Sequence, residues 1–252
     1  MKNPWRKIAP IILLVGAFFA STLAPTGSRP MAAGPGQDAA GNDTIPVADY
    51  ADAAVAAGRR ARKTRRGLRT DRPVSELPPN VKLLPVESHW WAGLPALPVG
   101  ESDAVVSGEA GAGWAGLTED RSGIYSDFFV RLDTIFKDGQ GGLAPGVVIE
   151  VSRPGGGVRF RSGKVQHYTL SKMGYPRAGG RYVLFLKNDG QGFYSILTGY
   201  ELRGDRVLPL DGDGRDPRAD LQFGRYRGAS QQSFLNDLWQ AVYSTPGPGG
   251  SN

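Results

Sequence analysis

From residue 102 onward, apolar and polar side chains alternate in short bursts separated by turn chemistry. The stretches 103–109 (DAVVSGE), 124–136 (IYSDFFVRLDTIF), 147–153 (VVIEVSR), 158–162 (VRFRS), 165–170 (VQHYTL), 181–187 (RYVLFLK) and 193–203 (FYSILTGYELR) are rich in β-branched and aromatic residues, which predicts strands. Val158 and Phe160 against Arg159 and Arg161 give the clearest inward and outward alternation. PGGG (154–157), SGK (162–164), NDGQG (188–192) and RGDR (203–206) are turn sequences, and PGGG in particular reads as a hairpin turn. Short strands at this spacing, with no helical pattern between them, predict an antiparallel barrel or sandwich.

The period changes at the end of the chain. Ser230 is placed to cap a helix in which Phe234, Leu235, Leu238, Trp239 and Val242 recur at three-and-four spacing, a stripe suited to covering an open end or face of the sheet. Residues 244–252 read as a loose tail. Ahead of the strands, residues 73–101 carry so many prolines that helix is forbidden and an extended arm is expected. Within 47–72, Tyr50, Ala54, Ala57 and Ala61 fall at helical spacing with acids first and bases last, which predicts a short helix ending near Gly67. Residues 25–46 read as a flexible linker.

The first 24 residues have a cationic start followed by the apolar run IAPIILLVGAFFAST, the layout of an export signal. Pro25 fits poorly after a cleavage point, so an uncleaved anchor competes with a cleaved signal. The expected location is extracytoplasmic, either periplasmic or secreted, with membrane anchorage as the variant.

Composition adds a restriction. The chain has no cysteine, which excludes disulfides, a thiol nucleophile and a cysteine-based zinc site. Its formal net charge of +6 is not spread evenly, because eight Arg and Lys residues between Gly58 and Arg72 face a single acid, Asp71. The basicity belongs to the segment before the strands, so Arg59, Arg60, Arg62, Lys63, Arg65 and Arg66 are candidates for contact with an anionic membrane surface or envelope polymer. Nucleic acid is not an expected partner of an exported chain.

Candidate chemistry is sparse. Only His89 and His167 could act as bases; His89 sits in the arm, and alternation puts His167 on one strand face with Val165 and Thr169. No serine stands in a G-x-S-x-G context. Glu109, Glu119, Asp120, Asp127 and Glu150 are carboxylates that a glycoside-type mechanism could use, but nothing in the sequence pairs them. Asp211, Asp213 and Asp216 crowd a Gly-containing loop and are weak calcium candidates, out of register with an EF-hand. Trp90 and Trp91 are candidates for an exposed aromatic patch or for pinning the arm to the domain. No cofactor is expected.

The succession SDAVVSGEA, IYSDFFVRLDTIFKDG, GVVIEVSRPGGG and GYPRAGGRYVLFLKNDGQGFYSIL resembles the barrel of tissue inhibitors of metalloproteinases and netrin-like modules, and that of uncharacterised exported bacterial domains. The resemblance covers about residues 102–200 and implies an oligonucleotide/oligosaccharide-binding type barrel of five or six strands with an appended helix. Protease inhibition does not carry over, because the amino-terminal cysteine and disulfides on which it depends are missing. The expected architecture is therefore all-β with one C-terminal helix, a small antiparallel OB-like barrel over 102–243. The functional expectation is a non-catalytic exported domain of the bacterial cell envelope that binds a protein or polymer. A carboxylate-dependent envelope hydrolase acting on glycan or peptide and a membrane-tethered structural domain are the alternatives.

Overall fold

The computed structural model describes residues 45–50, 68–69, 73–81, 83–88, 90, 92–118, 120–190, 193–212 and 222–245. The described strands are β1 (Val47–Asp49), β2 (Leu68–Arg69), β3 (Ala104–Leu117), β4 (Gly123–Asp138), β5 (Val148–Pro154), β6 (Gly156–Arg159), β7 (Val165–Tyr168), β8 (Arg181–Asn188), β9 (Tyr194–Arg203) and β10 (Arg206–Pro209), followed by helix α1 (Gln231–Ser244). The fold is all-β with one C-terminal helix, as the alternation predicts.

Five strands make an OB-like barrel. β4 pairs with β3 and β5, β3 with β8, and β8 with β9, all antiparallel, and β9 returns to β5 in parallel. That last junction holds only Val151 opposite Tyr194 and Ser152 opposite Ser195, so the barrel is open along most of this seam. β10 extends the sheet beyond β9, and β1, β6 and β7 form a separate small sheet.

Burial explains the sequence runs. Tyr182, Leu184 and Leu186 of β8 join Val106, Phe128, Val130, Leu132 and Ile196 inside the barrel. The intervening Val183 and Phe185 point the other way, into a second core with Tyr200, Phe223, Phe234 and Leu238. β8 is thus apolar without interruption because both of its faces are covered. α1 provides the outer cover, and its first turn is capped as predicted, the Ser230 side chain accepting from Ser233 N–H.

β3 runs on through GEAGAGWAG, where the sequence predicted a stop near Glu109. The glycines admit rings rather than break the strand. An added methyl on Gly113 would lie 2.5 Å from Phe128 Cε1, and one on Gly116 would lie 2.7 Å from Tyr125 Cζ. The pairing absorbs three register shifts between β3 and β4.

Two expectations are corrected. PGGG is not a hairpin turn: β5 ends at Pro154 in the barrel and β6 begins at Gly156 in the small sheet, so the chain passes from one sheet to the other across Gly155, which has φ +92°. Nor does a helix occupy 47–72 from end to end. Val47–Asp49 pairs in parallel with Gly157–Arg159, and Leu68–Arg69 pairs with Gly123–Ile124. The ladder offered by β6, with Ala48 buried beside it, outweighs the modest helix preference of the Ala-rich segment. Residues 51–67, the core of the predicted basic helix, lie outside the described residues, as does the export segment.

Candidate functional site

The site is built on the β6–β7 hairpin. Gly156, Gly157, Val158 and Arg159 stand opposite Tyr168, His167, Gln166 and Val165. Phe160 N–H donates to Lys164 O at 2.9 Å, while Gly157 N–H donates outward to Pro46 O at 2.7 Å. These two bonds fix the phase of the ladder. Gln166 and Tyr168 exchange backbone bonds with β6, whereas the N–H and C=O groups of Val165 and His167 face the other edge. Among the described residues nothing pairs with them.

The Pro-rich arm passes along that edge but does not fill it. Its near foot is Leu77, whose N–H meets the Gln166 side-chain oxygen at 2.9 Å once the amide is turned so that its nitrogen serves Ser75 O at 3.2 Å. Lys164 Nζ clamps the same foot, donating to Leu77 O at 2.6 Å and Pro78 O at 3.2 Å. The far foot is Val86, which donates to Thr169 O at 2.8 Å and accepts from Ser171 N–H at 2.9 Å. The arm goes from Leu77 to Val86 while the strand beside it goes only from Gln166 to Leu170. The surplus bows outward as an arch, helped by the turn in which Val81 N–H meets Pro78 O at 3.0 Å. Pro78, Pro79 and Pro85 have no N–H with which to rejoin the ladder.

Under the arch is a hollow of about 280 Å³ lined by Pro79, Val81, Leu83, Val165, Gln166 and His167, with Lys164 at one end. Val81, Leu83, Leu84, Val86 and Val165 are all exposed, Leu84 to 81%. Such a concentration of apolar side chains in water marks an interaction surface more often than chance. His167 leans over Gly157, where an added methyl would lie 3.3 Å from Nδ1 and 2.9 Å from Val47 Cγ2. This partial loss of hydration holds its imidazole below the usual range.

The far foot rests on a buried polar knot. Trp90 donates from Nε1 to Ser171 O at 3.2 Å, stacks on Phe223 with ring centres 6.4 Å apart, and has the Arg153 guanidinium 5.5 Å from its ring centre. Arg153 in turn grips Asp211 through two bonds and also donates to Gly174 O and Leu197 O. Beside the knot, burial is the main cause pushing the Tyr175 phenol up to about 12, and its hydroxyl donates to Pro154 O at 2.9 Å.

These placements revise the sequence candidates. Asp211 is not a free calcium ligand: it is buried, and its oxygens are taken by Arg153, Thr198 Oγ1 at 2.8 Å and Gly174 N–H at 2.9 Å. Asp213 and Asp216 lie outside the described residues. Trp90 is half-buried and pins the arm rather than forming an open patch, while Trp91 and His89 lie outside the described residues. Arg59, Arg60, Arg62, Lys63, Arg65 and Arg66 also lie outside them. Among the described residues no three His, Asp or Glu side chains gather where they could hold a metal, and no helix is long and apolar enough to cross a membrane. The arch itself went unread in the sequence, although the proline bracket 78–85 around VKLL was its available signal.

No protein-family model matches the chain, and no curated protein matches it.

Proposed function

We propose that the protein is an exported, non-catalytic interaction domain of the cell envelope that binds a polypeptide through the face made by the arch and β7. One observation carries this reading: an unpaired stretch of strand edge lies beside a row of exposed apolar side chains. An open edge is a template for another chain, and soluble proteins ordinarily cover it, charge it or shorten it. Here the arm that could cover the edge is anchored at both ends and held away from it between them. The cationic start and apolar run of the first 24 residues support export. The basic residues 59–66 would add an anionic surface as a secondary contact.

A photo-reactive phenylalanine analogue at Leu84 tests the reading in the full chain, with the same analogue at Arg206 on the β9–β10 hairpin as control. The expected result is a discrete cross-linked adduct with envelope protein from position 84, absent from position 206 and lost when Val165→Asp is added. Equal cross-linking from both positions, or none from either, overturns it.

A further inference from the structure

We propose that the hollow beneath the arch takes the carboxyl-terminal end of the partner polypeptide, added as a single antiparallel strand to β7 with its terminal carboxylate on Lys164. The inference rests on the interaction reading and gives the partner its chemistry.

Two residues, Val165 and His167, turn both backbone groups outward, and Thr169 O, the next group in the same phase, is already taken by Val86. An incoming strand therefore finds four backbone groups and no more. An antiparallel segment uses these four and must leave the edge on the side of the far foot, where Val86 holds Thr169 O.

Pro79, Val81 and Leu83 stand across the hollow from Val165 and His167. A strand added to those backbone groups would lie about 4.8 Å from β7, on the side that Pro79, Val81 and Leu83 face. Side chains of an added strand alternate, so its apolar positions meet Val81, Leu83 and Val165.

Among the described residues of the lining Lys164 is the one fixed cation beside the titratable His167, and its ammonium is held by two backbone carbonyls. An ammonium carries three donors, and no carboxylate among the described residues pairs with this one. Glu76, the acid beside the hairpin, instead accepts from Ser162 Oγ at 2.7 Å, and no carboxylate among the described residues pairs with Arg159 or Arg161. This end of the hairpin is therefore cationic. β7 runs away from Lys164, so a strand antiparallel to it ends at Lys164, and its last group is a carboxylate. The more stable strand pairing and the position of the cation thus select the same polarity.

The full chain, labelled with ¹⁵N, is titrated with the N-acetylated tetrapeptide Ala-Thr-Val-Val as the free acid, with its C-terminal amide, and with amidated Ala-Glu-Val-Val. The free acid is expected to shift the Val165 and His167 amide signals and slow their hydrogen exchange. The amide should bind at least about fivefold more weakly, the difference between a charge-assisted and a neutral hydrogen bond. Lys164→Gln should bring acid and amide to the same affinity. Methylating the peptide nitrogen that faces β7 should abolish binding, and methylating the nitrogen that faces away should not. Equal binding of acid and amide to the unaltered protein overturns the proposal, as does amidated Ala-Glu-Val-Val binding as well as the free acid, or binding that leaves both amides unmoved. If no peptide binds while Leu84 still cross-links, strand addition fails and the interaction reading stands; if the cross-link is lost as well, both fail.

Discussion

Arg153 and Asp211 meet side-on inside the protein, Nη1 to Oδ1 at 2.5 Å and Nη2 to Oδ2 at 2.7 Å, with neither side chain exposed. Their placement matters more than their attraction. β5 and β9 are joined by two residue pairs, Val151 with Tyr194 and Ser152 with Ser195, and Arg153 stands where that ladder stops. Its guanidinium reaches Leu197 O at 3.3 Å on β9 and Gly174 O in the loop above, so it stitches the open seam. Removing one member leaves the other as an uncompensated buried charge. Asp211→Asn is expected to destabilise the fold by about 3–5 kcal/mol. Joint replacement by Arg153→Met and Asp211→Leu should cost less than either single change. Urea denaturation midpoints of Arg153→Met, Asp211→Leu, their combination and Asp211→Asn check this ordering, and a double variant weaker than both of its component singles would refute it.

Trp90 links the seam to the arch. Trp90→Ala removes the bond to Ser171 O and the contact with Phe223, so the far foot should loosen while the barrel persists. Limited proteolysis should then cut within 78–86 faster than in the unaltered protein, with the midpoint of unfolding moved far less than by Asp211→Asn. Unchanged cleavage would show that Val86 alone secures the arm.

Gly113 is held to glycine by a ring. A methyl there would lie 2.5 Å from Phe128 Cε1 and 3.0 Å from Pro46 Cγ, and Phe128 is locked inside the barrel. Gly113→Ala is expected to destabilise by about 1–3 kcal/mol through overpacking, read as a lowered melting temperature. The same change at Gly141, where φ is +75° but the surroundings are open, should act through backbone strain and leave the near-ultraviolet aromatic signal intact.

His167 makes stability depend on pH in a fixed direction. Partial burial depresses its folded pKa below the ordinary value of 6.5, so below that value the unfolded chain binds the proton more readily than the folded one. The contribution is complete above the unfolded pKa and is lost as pH falls through the folded one. Between about pH 7.5 and pH 5 the urea midpoint should fall by less in His167→Gln than in the parent. An equal fall in both would assign the dependence to other groups. If strand addition is right, the same titration alters peptide binding, since His167 lines the hollow.

The barrel was legible because its causes are local. RYVLFLK, FYSILTGYELR and the Ser230 cap announce strand and helix through side-chain type and spacing, and the sequences read as turns at 162–164 and 203–206 are turns, each closing a hairpin. PGGG misled because glycine signals a conformational need without saying whether the chain turns back or crosses to another sheet. The Arg153–Asp211 bond could not be read: one partner lies at the end of a strand, the other starts an acidic loop, and only the folded barrel brings them together. Asp211 looked like a metal ligand for the same reason, since a carboxylate in a Gly-rich loop carries no mark of what it faces. The arch is a mismatch between two path lengths, and that becomes visible only when both ends are tied down.

The passage of the chain from β5 to β6 across Gly155 is one covalent route between the small sheet and the barrel, and the 169–180 connection from β7 to β8 is another. Load on β6 travels across Gly155 onto β5 at the point where its pairing with β9 gives out. Under tension the barrel should give way by unzipping at this junction rather than by shearing the longer β3–β4 ladder. The buried ion pair then acts as the rivet that sets how much pull this junction can bear.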